Sequence, residues 1–241
     1  PTTNAWILLF IIVQLLRALQ IVHKEGIAHR DLSTTNFVMD IPGDSSTLLD
    51  DSPRTKVYLI DFGKAVFTKP KDTQYWWLQQ ESAYNRGFEM YKNEVQPRNK
   101  DELAVWCKNL PLTMARPDHG YRLYRSIQTL PKTQRDRKLL PYLIDPIAED
   151  VYSMGALIWK IISGMEPWPG VFDIDLKALR ENVSNDESID RIIHRETPGP
   201  TSAQLLKMFL RVNPEDRCSI TEILGWLERP AIRKALLCEW N

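Results

Sequence analysis

Two short runs concentrate residue types that suit phosphate chemistry: His29-Arg30-Asp31-Leu32-Ser33-Thr34-Thr35-Asn36, and Asp61-Phe62-Gly63. A carboxylate (Asp61) and an amide (Asn36) offer oxygen ligands, and Asp31 is a second carboxylate close by in sequence. Oxygen donors of this kind suit Mg²⁺, which binds one or two protein ligands and completes its shell with phosphate and water. Phosphoryl transfer depends on positioning and charge neutralisation more than on covalent chemistry. Two carboxylates and one amide around a metal are a minimal set for it, provided the chain brings them together.

The neighbouring patterns show how it could. Residues 37–41 and 56–61 are short β-like runs rich in β-branched and aromatic residues, separated by a polar, acidic stretch at 42–54. Paired as a hairpin, they place Asn36 at the start of one strand and Asp61 at the end of the other, both beside Asp31. Upstream, Trp6, Leu9, Phe10, Val13, Leu16 and Leu19 recur at helical spacing before Gly26. The apolar run at 5–13 is expected to be a buried helix, too short to span a bilayer. Residues 68–143 mix charges, aromatics and prolines, with a patchy helical pattern only at 100–110. Helices are expected again at 149–163, stopping at Gly164, and at 201–212. Ser219 and Glu222 form a capping-box pattern that opens a last helix through Leu224 and Leu227. The expected class is mainly α (α+β): helices dominate, with one small hairpin.

The motifs carry a family resemblance. HRDLSTTN is similar to the protein-kinase catalytic loop H-R-D-L-x-x-x-N, and Asp61-Phe62-Gly63 to the metal-binding motif of that family. The resemblance implies that Asp31 orients an acceptor hydroxyl and takes its proton, while Asn36 and Asp61 hold Mg²⁺ on the phosphates of ATP. It further implies that Arg30 faces the activation segment, that Val38 and Ile60 lie near the adenine, and that His29, Phe62 and Gly63 fix the geometry. Asp150-Val-Tyr-Ser-Met-Gly155 resembles the buried helix whose aspartate bonds the catalytic-loop backbone. Arg217 resembles the late arginine that pairs with a glutamate ending the activation segment. No Ala-Pro-Glu occurs, and Gln128 stands where that glutamate belongs. A second departure is Ser33, where Ser/Thr-directed members carry a lysine that contacts the transferred phosphate.

By this resemblance, residues 1–241 are the C-terminal lobe of a kinase domain, with an enlarged activation segment at 64–128. The N-terminal β-lobe, with its glycine-rich loop and strand lysine, has no counterpart in the sequence. The expected function is transfer of the ATP γ-phosphate to a protein Ser/Thr hydroxyl, weak or inactive in this chain alone. A non-catalytic, pseudokinase-like interaction module is the alternative, and a small-molecule phosphotransferase a more distant one. Hydrophobic residues at 43% and charged residues at 26% describe an ordinary globular chain of 241 residues. Lysine plus arginine (31) balances aspartate plus glutamate (31), so charge points to neither nucleic acid nor membrane as a partner. Cys107, Cys218 and Cys238 have no metal-binding or disulfide spacing, which fits reduced thiols in an intracellular, cytoplasmic or nuclear protein.

Overall fold

The computed structural model describes residues 4–40, 47–48, 55–75, 99–114, 121–133 and 143–241. Helix α1 (Ala5–Lys24) begins where the Asn4 side chain accepts a hydrogen bond from Trp6 N. At 20 residues it is longer than its most apolar run, and by length and hydropathy alone it could cross a membrane, contrary to the expectation of too short a segment. A third (33%) of that apolar window is buried in the fold. Leu9, Ile12, Leu15, Leu16 and Leu19 are buried in the main core.

Strand β1 (Ile27–Ala28) follows, then a 3₁₀ turn (Thr34–Asn36), β2 (Phe37–Asp40), β3 (Lys56–Leu59) and β4 (Val66–Phe67). The expected hairpin forms, with Phe37 opposite Leu59 and Val38 opposite Tyr58. Phe37, Val57 and Leu59 turn inward against the core, and Val38, Tyr58 and Ile60 face outward. β3 ends at Leu59 rather than at Asp61, because Asp61 takes φ 62°, a left-handed conformation that leaves the ladder. There is more sheet than the single expected hairpin: β1 pairs with β4, and β5 (Thr113–Met114) with β6 (Leu143–Ile144). Helix α2 (Lys100–Lys108) lies between β4 and β5.

The centre of the molecule is α3 (Pro146–Ser163). Val151, Tyr152, Met154, Ala156, Leu157, Ile158 and Trp159 are all buried, so its apolar residues cover most of its circumference, as befits a core helix. It starts three residues before the expected 149. Asp145 caps it by accepting from Ile147 N at 2.8 Å and Ala148 N at 3.2 Å, and Pro146 fits the first turn. Gly164 closes it in the left-handed conformation, as expected. Gly155 permits a close approach: a β-carbon there would fall 2.3 Å from Phe209 Cβ.

Helices α4 (Leu176–Asn182), α5 (Asp186–Glu196), α6 (Pro200–Lys207), α7 (Ile220–Leu227) and α8 (Pro230–Trp240) complete the fold. The helix expected at 201–212 stops at Lys207, after which Phe209 and Leu210 leave the helix and are buried in the core, and Met208 O accepts from Cys218 N. α6 has a glycine, Gly199, as its N-cap. The capping anion comes instead from α8, where Glu239 accepts from Thr201 N and Ser202 N, each at 2.8 Å. The capping box at Ser219 and Glu222 is present, but α7 is not the last helix, since α8 follows it.

Candidate functional site

The loop after β1 is held from below. Asp150, buried in α3, accepts from His29 N at 2.6 Å and Arg30 N at 2.7 Å, and His23 Nε2 donates to it at 3.1 Å. These bonds hold Arg30 at φ 66°, a conformation unusual outside glycine. Asp150 is therefore no helix cap, since that position belongs to Asp145.

The His29 ring links the loop to the hairpin. Its Nδ1 accepts from Asp31 N at 3.3 Å, so the proton sits on Nε2, which donates to Ile60 O at 3.0 Å. The ring meets Phe62 edge-on at 4.9 Å. Asn36 donates its amide N–H to Asp31 O at 2.7 Å, and its own backbone carbonyl accepts from Ile60 N at 2.9 Å. Asp61 Oδ1 accepts from Gly63 N at 3.1 Å. The loop and the strand end thus form one hydrogen-bonded unit containing Asp31, Asn36 and Asp61.

The chemistry of these groups fits Mg²⁺ and ATP. With its N–H turned to Asp31, the buried Asn36 has its amide oxygen left as the donor atom for a cation, 3.5 Å from the Thr35 hydroxyl, and Asp61 is exposed. Among the described residues, no three His, Cys, Asp or Glu side chains cluster as a metal site. Val38 and Ile60 stand 45% and 40% exposed on the outer hairpin face, an apolar surface beside these oxygens. On the other side of the loop, a cleft is lined by Arg30, Asp31, Tyr121, Arg125, Thr129 and Ser153.

Sequence reasoning missed two side chains at this centre. Lys64 Nζ lies 2.8 Å from Asp31 Oδ2. Nothing in its spacing from Asp31 marks it in the sequence. Ser33, by contrast, is buried and pairs its hydroxyl with Thr35 Oγ1 at 2.8 Å. The other is Glu149. Arg217 Nη2 does reach Gln128 Oε1, at 3.2 Å, but its charged partner is Glu149, whose Oε1 accepts from Arg217 Nη1 at 2.9 Å. Glu149 also accepts from Ser126 Oγ and Thr129 Oγ1, so it fastens the 126–129 turn to α3. Arg217 lies over the Tyr152 ring at 5.0 Å. Burial, only partly opposed by Arg217, pushes the Tyr152 hydroxyl well above its ordinary pKa.

Among the hydroxyls of the 64–128 segment, Thr73 is buried and Thr68 half-buried, while Ser82 and Tyr84 lie outside the described residues. The same holds for most of the acidic stretch at 42–54, for the basic residues at 135–138, and for much of the 64–128 segment.

No family model matches the chain. Over 223 residues, 90% of its length, it is 22% identical to fhkA, a probable serine/threonine-protein kinase of Dictyostelium discoideum. The aligned stretch is 31% of that protein, so the chain spans about a third of the relative's length. The likeness hints at a protein-kinase-like family.

Proposed function

We propose that this chain is the C-terminal lobe of a protein-kinase domain, with residues 64–128 as its activation segment, which transfers the ATP γ-phosphate to a protein Ser/Thr hydroxyl. The observation that carries the reading is the bonding of Asn36 to Asp31 and Ile60, which gathers both motifs into one unit. The kinase-like relative supports it along most of the chain.

In this reading Asn36 and Asp61 hold Mg²⁺, and Val38 and Ile60 lie under the adenine. Magnesium-ATP supplies the phosphoryl group and part of the charge neutralisation. Asp31 accepts a hydrogen bond from the acceptor hydroxyl, fixes its direction, and holds its proton on a carboxylate oxygen. The cleft beside Arg30 and Tyr121 admits the acceptor segment. Asp150 and His29 keep Asp31 in place through the loop backbone, and Phe62 and Gly63 hold the turn that carries Asp61.

Thermal denaturation with Mg-ATP tests the reading. At a hundredfold excess over Kd, ligand binding stabilises by about 2.7 kcal/mol, which for a chain of this size raises Tm by roughly 5–11 °C. The expected result is a saturable rise that is lost in Asp61→Asn and in Asn36→Ala. An unchanged Tm at millimolar Mg-ATP overturns it, and leaves a lobe that serves only protein contacts.

A further inference from the structure

Position 33 cannot supply positive charge to this site. Ser33 is 2% exposed, and its hydroxyl is engaged by Thr35. Yet Asp31 does have a cation beside it, delivered from 33 residues away: Lys64 Nζ, at 2.8 Å from Oδ2. The turn that presents Lys64 is compact. Gly63 N donates to Asp61 Oδ1 at 3.1 Å, and Ala65 N donates to Phe62 O at 3.0 Å. Lys64 is therefore built on the same turn as one candidate metal ligand, and reaches across to the candidate base.

An isolated surface pair of this kind contributes little to stability, at most about 1 kcal/mol. Lys64 is 41% exposed against 14% for Asp31, so the ammonium keeps an open, solvent-facing side while contacting a mostly covered carboxylate. Because Lys64 and Asp61 share one turn, a phosphate gathered by a metal on Asp61 would come to the same turn as the ammonium. An ammonium is a compact point charge with three donors, so it can bridge a carboxylate and a phosphate oxygen at once.

We propose that Lys64 is a catalytic residue of this site: it binds the terminal phosphate of the nucleotide and holds it beside Asp31, the role for which position 33 has no charge. The inference rests on the nucleotide site proposed above and names a further residue of it. In the transfer, the acceptor oxygen bonds to the terminal phosphorus as the bridging P–O bond breaks. The electron pair of that bond leaves on ADP, the hydroxyl proton passes to Asp31, and Lys64 stays protonated throughout.

Calorimetric titration with Mg-ADP and with a non-hydrolysable Mg-ATP analogue tests this without any turnover. A charge-assisted bond lost to one phosphate corresponds to roughly a ten- to hundredfold loss of affinity. Lys64→Met is expected to lose that much for the triphosphate while Mg-ADP affinity stays within about twofold of wild type. Lys64→Arg, which keeps the charge, retains the preference for the triphosphate. If Lys64→Met weakens both nucleotides equally, weakens neither, or tightens the triphosphate, the proposal is overturned with the nucleotide site intact. If wild type binds neither nucleotide, the site reading fails and Lys64 falls with it.

Discussion

Replacing Glu149 puts the arginine of this fold under a test whose sign the structure dictates. Arg217 is 1% exposed at its side chain, and among the described residues its acceptors other than Glu149 are neutral: Ala148 O at 2.8 Å, Arg211 O at 2.9 Å, Gln128 Oε1 at 3.2 Å and Val212 O at 3.3 Å. Glu149→Ala leaves a buried guanidinium among dipoles and removes the acceptor for Ser126 and Thr129. Breaking a buried pair from one side costs about 3–5 kcal/mol, or roughly 6–20 °C in Tm for a chain of this length. The informative step is Gln128→Glu. Against native Glu149 it sets a second carboxylate beside the first and turns the Gln128 Nε2 donor, 2.6 Å from Val212 O, into an acceptor facing an acceptor. That is destabilising. In the Glu149→Ala background the same change returns an anion within reach of Arg217, and it is stabilising. Urea unfolding of the four proteins gives the coupling, expected at about 0.5–3 kcal/mol for groups in one network. Gln128→Glu having the same sign and size in both backgrounds would refute the claim that Glu149 carries the charge.

Two further outcomes follow from packing and protonation. Gly→Ala inside a helix normally stabilises by about 1 kcal/mol, but Gly155→Ala in α3 drives a β-carbon into Phe209 and is expected to destabilise by about 1–3 kcal/mol. A higher urea midpoint for that variant contradicts the close approach. Glu239 is held below its ordinary value of 4.5: burial acts to raise it, and the hydrogen bonds from Ser202 and Thr201 outweigh burial. The unfolded chain thus binds more protons near that pH, so the contribution is complete above 4.5 and is lost as pH falls through the lower folded value. Urea midpoints measured from about pH 5 to about pH 3 should fall less steeply for Glu239→Gln than for wild type; parallel curves would rule the linkage out.

Parts of this fold are legible because local rules act within one element. The period of α1, the alternation in β2 and β3, and the capping box of α7 each need only neighbours in sequence. β1 with β4 and β5 with β6 are pairs of two residues each, too short for any periodicity to register. The end of α6 is set by the demand that Phe209 meet Gly155, and its cap by Glu239 from α8, both decided by distant parts of the chain. The same distinction runs through the site. His29, Asp31, Asn36 and Asp61 stand in fixed motifs and can be read directly. Lys64 and Glu149 act through partners 33 and 68 residues away, so their spacing carries no signal.

Both missed residues answer one physical requirement. The Asp31 carboxylate, or an arginine in the core, fixes where an opposite charge must be, while the chain segment that delivers it is free to vary. At position 128 the amide still reaches Arg217, but the negative charge stands on α3 at Glu149. At position 33 the hydroxyl is turned inward, and the positive charge arrives on Lys64. α3 can carry the negative charge for Arg217 because its opening turns already gather carboxylates for other tasks. Asp145 caps the helix, Asp150 grips the 29–30 loop, and Glu149, between them in sequence, faces the 126–129 turn and Arg217. One helix end therefore sets both the loop that carries Asp31 and the segment that borders its cleft, so a loss of order at Glu149 should be felt at Arg30 and Asp31 as well.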